Sequence, residues 1–207
     1  SLTWAFAGVL NPAMSQLHAF VSEYSARDQP WRYLFQTTDV IMGTLLCLAG
    51  LATLVWARHR PLGRQGWSGV GFVAGGFFSV LDALVTMDCS PTRSQACMAA
   101  EEAGHVSVNH IVHVGTSTIV VVGFALPILL LNSTMTRFRG FGLVVTWAWV
   151  VFTLLNGIGA VGWFVGTPMD YTGIWQRFSL GLGTLWWLIL AADDIVTARV
   201  QDRARSC

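Results

Sequence analysis

The chain has 207 residues and a formal net charge of +1; 54% of its residues are hydrophobic and 11% are charged. This composition, with a mean hydropathy of +0.56, is typical of an integral membrane protein and excludes an ordinary soluble domain. All twelve basic residues are arginines and they form no basic tract, so we exclude nucleic acid as a partner.

Apolar stretches along the chain predict an all-α bundle of six transmembrane helices in a single domain, residues 1–207. A helix needs about 20 apolar residues to cross a bilayer, and we predict spans at residues 2–19, 35–56, 67–87, 108–131, 141–165 and 178–198. Pro12 removes a backbone donor from the first of these, so we expect a kinked or broken helix there. That segment lacks the basic flank and the cleavage site of a signal peptide, and we interpret it as a true span.

Arginines mark one side of the predicted bundle. With six spans, the loops at residues 57–66 and 132–140 and the C-terminal tail lie on the same side, and they hold Arg58, Arg60, Arg64, Arg137, Arg139, Arg199, Arg203 and Arg205. The positive-inside rule assigns that side, and with it both termini, to the cytoplasm. The opposite loops are acidic, with Glu23, Asp28, Asp88, Glu101, Glu102 and Asp170. We therefore predict a multi-pass protein of the cell membrane with acidic extracytoplasmic loops.

Two cysteines lie in one of these extracytoplasmic loops. Cys89 and Cys97 are separated by seven residues that include Pro91, which is enough chain to close a small ring. An oxidising compartment preserves disulfides, so we predict a bond between the two cysteines. In the chain-entropy model such a bond contributes on the order of 2–3 kcal/mol. Two free thiols are the alternative.

Polar side chains gather near the extracytoplasmic ends of the predicted helices, although burying an ionisable group in a membrane costs free energy. In and just after the first predicted helix, Ser15, His18 and Ser22 recur at helical spacing and so share a face. Glu23 follows directly. This segment therefore offers hydroxyl, imidazole and carboxylate groups to a site.

Carboxylates on the next two predicted helices lie at a comparable depth. Asp39 is one turn inside the second helix. Asp82 lies roughly 9 Å below the outer end of the third helix, at 1.5 Å per residue, and Asp88 caps that end. A carboxylate at the depth of Asp82 needs a partner, which makes it a candidate functional group.

The predicted helix at residues 108–131 and its approach carry the densest polar group. His110 and His113 are three residues apart and point the same way, and Asn109 with His113 forms an adjacent pair on that face. His105 and Ser117 flank them. A neutral imidazole beside a carboxylate in a low-dielectric bundle can bind a metal or act as an oriented acid–base pair.

A structural interpretation stands beside the functional one for each of these residues. A single membrane histidine such as His18 is more often a hydrogen-bonding strut than a ligand, Asp88 can be a loop cap, and His105 can be a solvated entrance residue. Asp193 and Asp194, near the cytoplasmic end of the last helix, are expected to pair with nearby arginines and receive no chemical role.

The chain resembles a known family, the multi-pass membrane proteins of domain-of-unknown-function family 998, common in actinobacteria. The resemblance spans most of the chain and rests on Ser22-Glu23-Tyr24-Ser25-Ala26 with Gln29-Pro30-Trp31, on Phe35, Asp39 and Gly43, and on Asp88-Cys89-Ser90-Pro91 with Cys97, His113 and Ser117. It implies a six-helix fold with these positions on the non-cytoplasmic side. It implies no established reaction.

A looser similarity is to the ceramidase-like transmembrane hydrolases, which hold zinc with a Ser and a His on one helix, an Asp on the next and two His on a later one. Ser15 with His18, Asp39, and His110 with His113 are similar to that arrangement. Two of the spacings are one residue short, and six helices stand in place of seven. The similarity is an analogy, and it implies a zinc site.

We therefore expect a membrane-embedded hydrolase that acts on an amide or ester of a membrane lipid at the outer leaflet. A histidine would hold a metal or serve as base, a carboxylate would orient it or activate water, and a serine would bind the oxyanion or act as nucleophile. The candidate residues are Ser15, Ser22, Glu23, Asp39, Asp82 and His113 for catalysis, His18, His110 and His113 for zinc or another divalent metal, and Asp88, His105, Asn109 and Ser117 beside them.

The main alternative is a non-catalytic module that binds a lipid or a protein partner and uses the polar residues as an internal hydrogen-bond network. This alternative predicts no bound metal and a closed, water-poor interior. Less favoured are haem held by His18 with His110 or His113, and proton-coupled transport, for which the sequence shows no convincing repeat.

Overall fold

A computed structural model describes residues 3–58, 63–164 and 170–206 of the chain. These residues form seven α-helices and no β-strand: α1 (Ala7–Leu10), α2 (Arg32–Ala57), α3 (Arg64–Leu84), α4 (Gln95–Glu102), α5 (Val108–Leu131), α6 (Arg139–Phe164) and α7 (Thr172–Ser206). Two short 3-10 turns precede α2, at Thr3–Phe6 and Val21–Ser25. Within the described ranges the protein is therefore all-α, as predicted.

Five of the helices, α2, α3, α5, α6 and α7, are long and apolar enough to cross a membrane. The shortest, α3, has 21 residues, which at 1.5 Å per residue is close to the thickness of about 30 Å of a bilayer core. This finding confirms a multi-pass membrane protein. One end of the bundle, where α2 and α5 begin and α3 ends, is called the disulfide end here, and the opposite end is called the arginine end.

The helix predicted over residues 2–19 does not form a span in the part of the chain that is described. Its α-helical part, α1, ends at Leu10, because Asn11 leaves the helical region (φ −138°, ψ 78°), which is disfavoured for a residue before proline. Turns follow Pro12, and Ala19 N–H donates to the Ser15 carbonyl. The described residues thus contain five long helices where six were predicted.

The residues that precede α2, Thr3 to Ser25, form a cap between the disulfide ends of α2 and α7. The Thr3 and Thr38 hydroxyls are 3.2 Å apart, and the Trp4 ring packs over Gly181 of α7. Arg177 of α7 donates to the carbonyls of Gln16 and Ala19, at 2.7 and 2.9 Å. We call this segment the N-terminal cap.

Glycines let α3 approach both of its neighbours closely. A Cβ at Gly76 of α3 would lie 2.5 Å from the Gly43 carbonyl oxygen of α2, and a Cβ at Gly123 of α5 would lie 2.5 Å from the Gly75 amide nitrogen of α3. Small residues at helix interfaces allow such contact. Because α3 lies between α2 and α5, its last turn can bring groups from three helices together.

Buried polar contacts join α5 to α6 and α7 near the arginine end. Trp186 Nε1 donates to Asn132 Oδ1 at 3.1 Å, and Asn132 Nδ2 donates to Thr146 Oγ1 at 2.6 Å. Asp193 was expected to pair with arginine side chains. Its carboxylate instead accepts the backbone N–H groups of residues 136–138, at 2.6 to 2.9 Å, and so satisfies amides just before the start of α6.

The loop between α3 and α5 carries the disulfide and a short helix that the sequence reading missed. Cys89 and Cys97 are bonded, with Cα atoms 6.0 Å apart, which confirms the predicted pair. Cys97 lies in α4, and the Ser94 hydroxyl accepts the Cys97 N–H at the start of that helix. The disulfide therefore fixes α4 to the end of α3.

Candidate functional site

Asp82 and His113 meet at the interface of α3 and α5. Asp82 Oδ1 lies 3.2 Å from His113 Nδ1. The hydroxyls of Thr116 and Ser117 donate to the same carboxylate oxygen, at 2.5 and 2.9 Å. Three side chains from about one turn of α5 therefore surround the carboxylate of α3, and the carboxylate has the partners that its depth requires.

The surroundings of His113 fix its tautomer. Nδ1 lies 2.9 Å from the Val85 carbonyl oxygen and 3.1 Å from the Asp82 carbonyl oxygen, besides the Asp82 carboxylate. The carbonyls are free to accept because they belong to the last turn of α3, where intrahelical donors run out. All three partners are acceptors, so Nδ1 carries the proton. Nε2 is buried and has no hydrogen-bond partner among the described residues.

Asp39 of α2 is the second carboxylate near this pair. It is half-buried and close enough to Asp82 for their charges to interact. Its position follows from the contact between α2 and α3, because Gly43, one turn further along α2, packs against Gly76 and Val80 of α3. The sequence prediction that Asp39, Asp82 and His113 belong to one region of the bundle is consistent with these positions.

His110, one turn before His113, belongs to a second polar group at the disulfide end. The Asp88 N–H donates to His110 Nδ1 at 3.3 Å. The Asp88 carboxylate in turn accepts the Ser107 N–H at 2.6 Å and the Ser107 hydroxyl at 2.8 Å, and it lies 3.3 Å from Arg27 Nη1. Asp88 thus holds the start of α5 where the sequence reading placed a cap on α3.

Electrostatics at Asp88 favour its ionised form. Burial by itself would raise the pKa of the carboxyl, but the hydrogen bonds from Ser107 and the nearby charge of Arg27 outweigh it and lower the pKa below its usual value of 3.8. The Asp88 carboxylate is therefore charged at neutral pH.

Glu23 is completely buried where the N-terminal cap meets the loop that follows α3. One oxygen accepts the Ser90 hydroxyl in a short hydrogen bond, together with the Thr92 N–H at 3.1 Å and the Thr92 hydroxyl at 2.5 Å. The other oxygen accepts the Phe20 N–H at 2.9 Å. Burial raises the pKa of Glu23, and the four hydrogen bonds oppose that shift.

Arg177 of α7 anchors the N-terminal cap. Besides the two cap carbonyls, its guanidinium donates to the Tyr24 hydroxyl at 3.2 Å. Its relative exposure is 9%. An arginine placed within an apolar helix is itself a signal of a buried partner, because burial of an unpaired cation in a membrane is costly.

The remaining candidate residues do not join the Asp82–His113 pair in the described part of the chain. His18 is exposed and stacks on Tyr171, with ring centroids 5.6 Å apart. Ser15 is exposed on a turn, and the Ser22 carbonyl accepts the Ser25 hydroxyl within the cap.

Two further expectations for the approach to α5 have different outcomes. His105 is exposed, in line with a solvated entrance residue. The prediction that Asn109 pairs with His113 on a buried face is wrong, because Asn109 is exposed while His110 and His113 are buried. At about 100° per helix position, Asn109 lies on the side of His113 away from His110, at the edge of the buried face.

A three-histidine metal site is not assembled among the residues that the structure describes. No group of three or more His, Cys, Asp or Glu side chains in those ranges has a geometry suited to a metal ion. His18 lies against the start of α7, whereas His110 and His113 face α3 and its loop. The described residues therefore do not fit the zinc arrangement of the ceramidase-like hydrolases.

The comparisons with known proteins give one match. A family model described as "Protein of unknown function (DUF998)" matches residues 1–193. The chain belongs to the DUF998 family. No curated protein and no solved structure matches the chain.

The two sequence blocks that carry the DUF998 resemblance touch each other in the fold. Glu23, from the first block, accepts the hydroxyl of Ser90, from the second. The Ser90 N–H donates to Asp28 at 3.3 Å, and the Arg27 N–H donates to the Met87 carbonyl at 3.0 Å. These blocks thus form the joint between the N-terminal cap and the disulfide loop.

Several residues of the two polar groups were not singled out from the sequence. Thr116 follows His113 by one turn on the same face, a spacing that could have identified it. Ser90 and Thr92 gave no such signal, since a hydroxyl in a loop is ordinary and only the fold brings it to Glu23. Ser117, in contrast, was named and does bind Asp82.

Proposed function

We propose that the protein is a membrane-embedded hydrolase that cleaves an amide or ester of a membrane lipid, with His113 as general base and Asp82 as the group that positions it. One observation carries the proposal: Asp82 and two carbonyls hold the proton of His113 on Nδ1, and the buried Nε2 has no hydrogen-bond partner among the described residues. An imidazole in this state offers a lone pair of fixed direction, which a general base requires.

The chemistry uses water as the nucleophile. His113 Nε2 takes a proton from water as the water oxygen attacks the lipid carbonyl carbon. When the bond from that carbon to the leaving nitrogen or oxygen breaks, Nε2–H gives the proton to the leaving atom, and a carboxylic acid and an amine or alcohol are released. Asp82 stabilises the imidazolium that forms between the two steps. Thr116 and Ser117 hold the carboxylate in place.

The pair lies near the surface of the helix bundle. The Asp82 side chain is 20% exposed and the His113 side chain 3% exposed, so the pair reaches the surface of the bundle through the carboxylate. The nucleophile differs from the serines of the sequence-based scheme, since Ser15 and Ser22 make their contacts within the N-terminal cap. In this scheme His113 alone activates the water.

The site would face the extracytoplasmic side of the cell membrane. Arg58, Arg64, Arg137 and Arg139 flank the described helices at the arginine end, which the positive-inside rule assigns to the cytoplasm. The disulfide between Cys89 and Cys97 lies at the opposite end, in keeping with an oxidising compartment. The N-terminal cap also lies at the disulfide end.

The test compares His113→Ala and Asp82→Asn with the wild type in a strain that lacks the native copy, and again with purified protein in vesicles that contain ester- and amide-linked lipids. Thr118→Val is the matched control, because Thr118 is exposed on the same helix and its hydroxyl bonds only within α5. We expect both site variants to lose release of fatty acid and the control to keep it. Wild-type protein that releases no more fatty acid than His113→Ala would refute the proposal, and loss of release on chelation would refute water activation without a metal.

A second candidate is a non-catalytic module that binds a membrane lipid or a protein partner. Its supporting observation is that Thr116 and Ser117 donate to Asp82 and that Glu23 and Asp88 are likewise fully engaged, as in a structural network. In that case His113→Ala lowers the unfolding temperature and leaves the lipid composition of the strain unchanged.

A further inference from the structure

A cavity of about 160 Å³ lies at the disulfide end between the last turn of α4 and the first turns of α5, on the side of α5 that carries His110. Its walls are formed by Glu101, Gly104, Val106, His110, Ile111 and Val114. Gly104 has a positive φ of 69°, which turns the chain back from α4 towards α5. The cavity holds two polar groups in an otherwise apolar lining.

The His110 side chain forms part of the cavity wall and carries a buried ring nitrogen without a hydrogen-bond partner among the described residues. Its Nδ1 accepts the Asp88 N–H, so the neutral ring carries its proton on Nε2. Nε2 is buried, has no hydrogen-bond partner among the described residues, and lies 3.9 Å from Glu101 Oε1, beyond hydrogen-bond distance. A buried polar atom without a partner requires an explanation, and a ligand atom that accepts a hydrogen bond is one.

Glu101 supplies the opposite chemistry. Its side chain is 12% exposed at the cavity, so a carboxylate lies at the entrance and favours a cation. A ligand that fits both groups carries a positive charge for Glu101 and an acceptor oxygen for His110. The two polar groups are neighbours, so the charge and the oxygen must be a few bonds apart.

The apolar walls indicate that this ligand is a lipid. Ile111 is 59% exposed and Val108 is 74% exposed on the adjoining surface of α5, and Val112 continues that surface at 39%. In a membrane, α5 is a span, so these side chains lie against acyl chains. The cavity lies at the end of the span, which is the level of the lipid headgroups.

We propose that this cavity binds the headgroup of an aminophospholipid, with the primary ammonium on Glu101, a phosphate oxygen on His110 Nε2–H and the acyl chains along the exposed face of α5. This site is separate from the Asp82–His113 pair and does not depend on hydrolysis. It gives the protein a preference for one class of lipid at the outer surface.

The experiment measures lipid retention by native mass spectrometry of protein taken from nanodiscs that contain equal amounts of phosphatidylethanolamine, phosphatidylcholine and phosphatidylglycerol. We expect the wild type to retain phosphatidylethanolamine preferentially. A charge-assisted hydrogen bond is worth enough free energy that Glu101→Gln should reduce the preference by about tenfold. Glu102→Gln is the matched control, since Glu102 is an adjacent, exposed acid that does not line the cavity.

A second pair of variants tests the cavity without changing its charge. Ile111→Trp fills the cavity wall and should abolish the preference, whereas Leu129→Trp, at an exposed position near the opposite end of α5, should preserve it. Every variant is first checked for the intact Cys89–Cys97 disulfide and for its unfolding temperature. Equal retention of the three lipids by the wild type, or equal losses in Glu101→Gln and Glu102→Gln, would overturn the proposal.

The same measurement on His113→Ala separates this site from the proposed reaction. Lipid preference should be unchanged in that variant even if it releases no fatty acid. Free phosphoethanolamine should compete weakly because it lacks acyl chains, and strong competition by it would contradict the assignment of a lipid as the ligand.

Discussion

Glu23→Ala tests whether the buried carboxylate holds the N-terminal cap to the disulfide loop. The substitution removes the acceptor of two backbone N–H groups, those of Phe20 and Thr92, and of the hydroxyls of Ser90 and Thr92. Hydroxyls can turn to other acceptors, but amides cannot, and each unsatisfied buried donor costs about 1–3 kcal/mol. Both amides belong to half-buried residues, which reduces the cost of leaving them unsatisfied, and the substitution also removes the cost of burying Glu23. We therefore expect the free energy of unfolding to fall by about 2–4 kcal/mol.

Unfolding in mixed detergent micelles, followed by tryptophan fluorescence, measures that loss. Glu102→Ala is the control, because Glu102 is exposed and should change the free energy by less than about 0.5 kcal/mol. A double-mutant cycle with Thr92→Val should give a coupling of about 1 kcal/mol or more, since the two side chains are in contact. The reasoning fails if Glu23→Ala is as mild as Glu102→Ala, or if Glu23 and Thr92 show no coupling.

Three further predictions concern packing, the disulfide and pH. Gly123→Ala should destabilise the protein by about 1–3 kcal/mol, because the new Cβ meets the Gly75 amide nitrogen at 2.5 Å. Gly115→Ala on the same helix, where a Cβ meets nothing within 4 Å, should be neutral in the same unfolding assay. Replacing Cys89 and Cys97 with Ser should cost on the order of 2–3 kcal/mol and abolish the mobility shift on reduction, and an unchanged unfolding midpoint would contradict this. The pKa values of Asp88 and Glu23 are shifted in opposite directions, so their contributions to stability depend on pH in opposite ways. The folded-state pKa of Asp88 is lowered, so the stability that its carboxylate contributes is complete above pH 3.8, its unfolded-state pKa, and is lost as the pH falls through the folded-state pKa. The folded-state pKa of Glu23 is raised, so its contribution to stability is complete below pH 4.5, its unfolded-state pKa, and is lost as the pH rises through the folded-state pKa. Unfolding from pH 2 to 7 should therefore show the acid-side loss disappear in Asp88→Asn.

The long helices and the disulfide were predictable because their signals are local. Five apolar stretches correspond to α2, α3, α5, α6 and α7, and α5 begins and ends at the predicted residues. A span requires little more than length and apolar composition, and both can be read from the chain. The Cys89–Cys97 pair was predictable for the same reason, since a short loop allows few alternatives.

The N-terminal segment was predicted wrongly because its structure depends on distant residues. Its composition is apolar enough for a span, but Pro12 stops the helix and the chain then turns. What stabilises the turned segment is Arg177, more than 150 positions away, whose guanidinium satisfies carbonyls that a helix would otherwise have satisfied. No local pattern at residues 11–19 reveals that partner.

The contact between Asp82 and His113 was predicted as a possibility, and the reason for it lies in how α3 ends. Helical periodicity placed each residue on its own helix, and only the close approach of Gly75 and Gly123 sets the two helices in register. The end of α3 then exposes carbonyls that accept a hydrogen bond from His113 Nδ1–H. A sequence shows the candidates for such a pair, and interhelical packing decides whether they meet.

The two histidines of α5 have the same unusual feature for different structural reasons. His113 Nδ1 is occupied by the end of α3 and His110 Nδ1 by the Asp88 amide, so each ring is fixed through one nitrogen while Nε2 is left over. Four buried side-chain polar atoms in the described ranges have no hydrogen-bond partner, and two of them are these nitrogens, one helical turn apart. Leaving a buried polar atom without a hydrogen bond costs free energy. A purely structural network would not require two such atoms on one face of one helix. His113 Nε2 carries a lone pair, which suits a general base. His110 Nε2 carries a proton, which suits the recognition of a lipid oxygen.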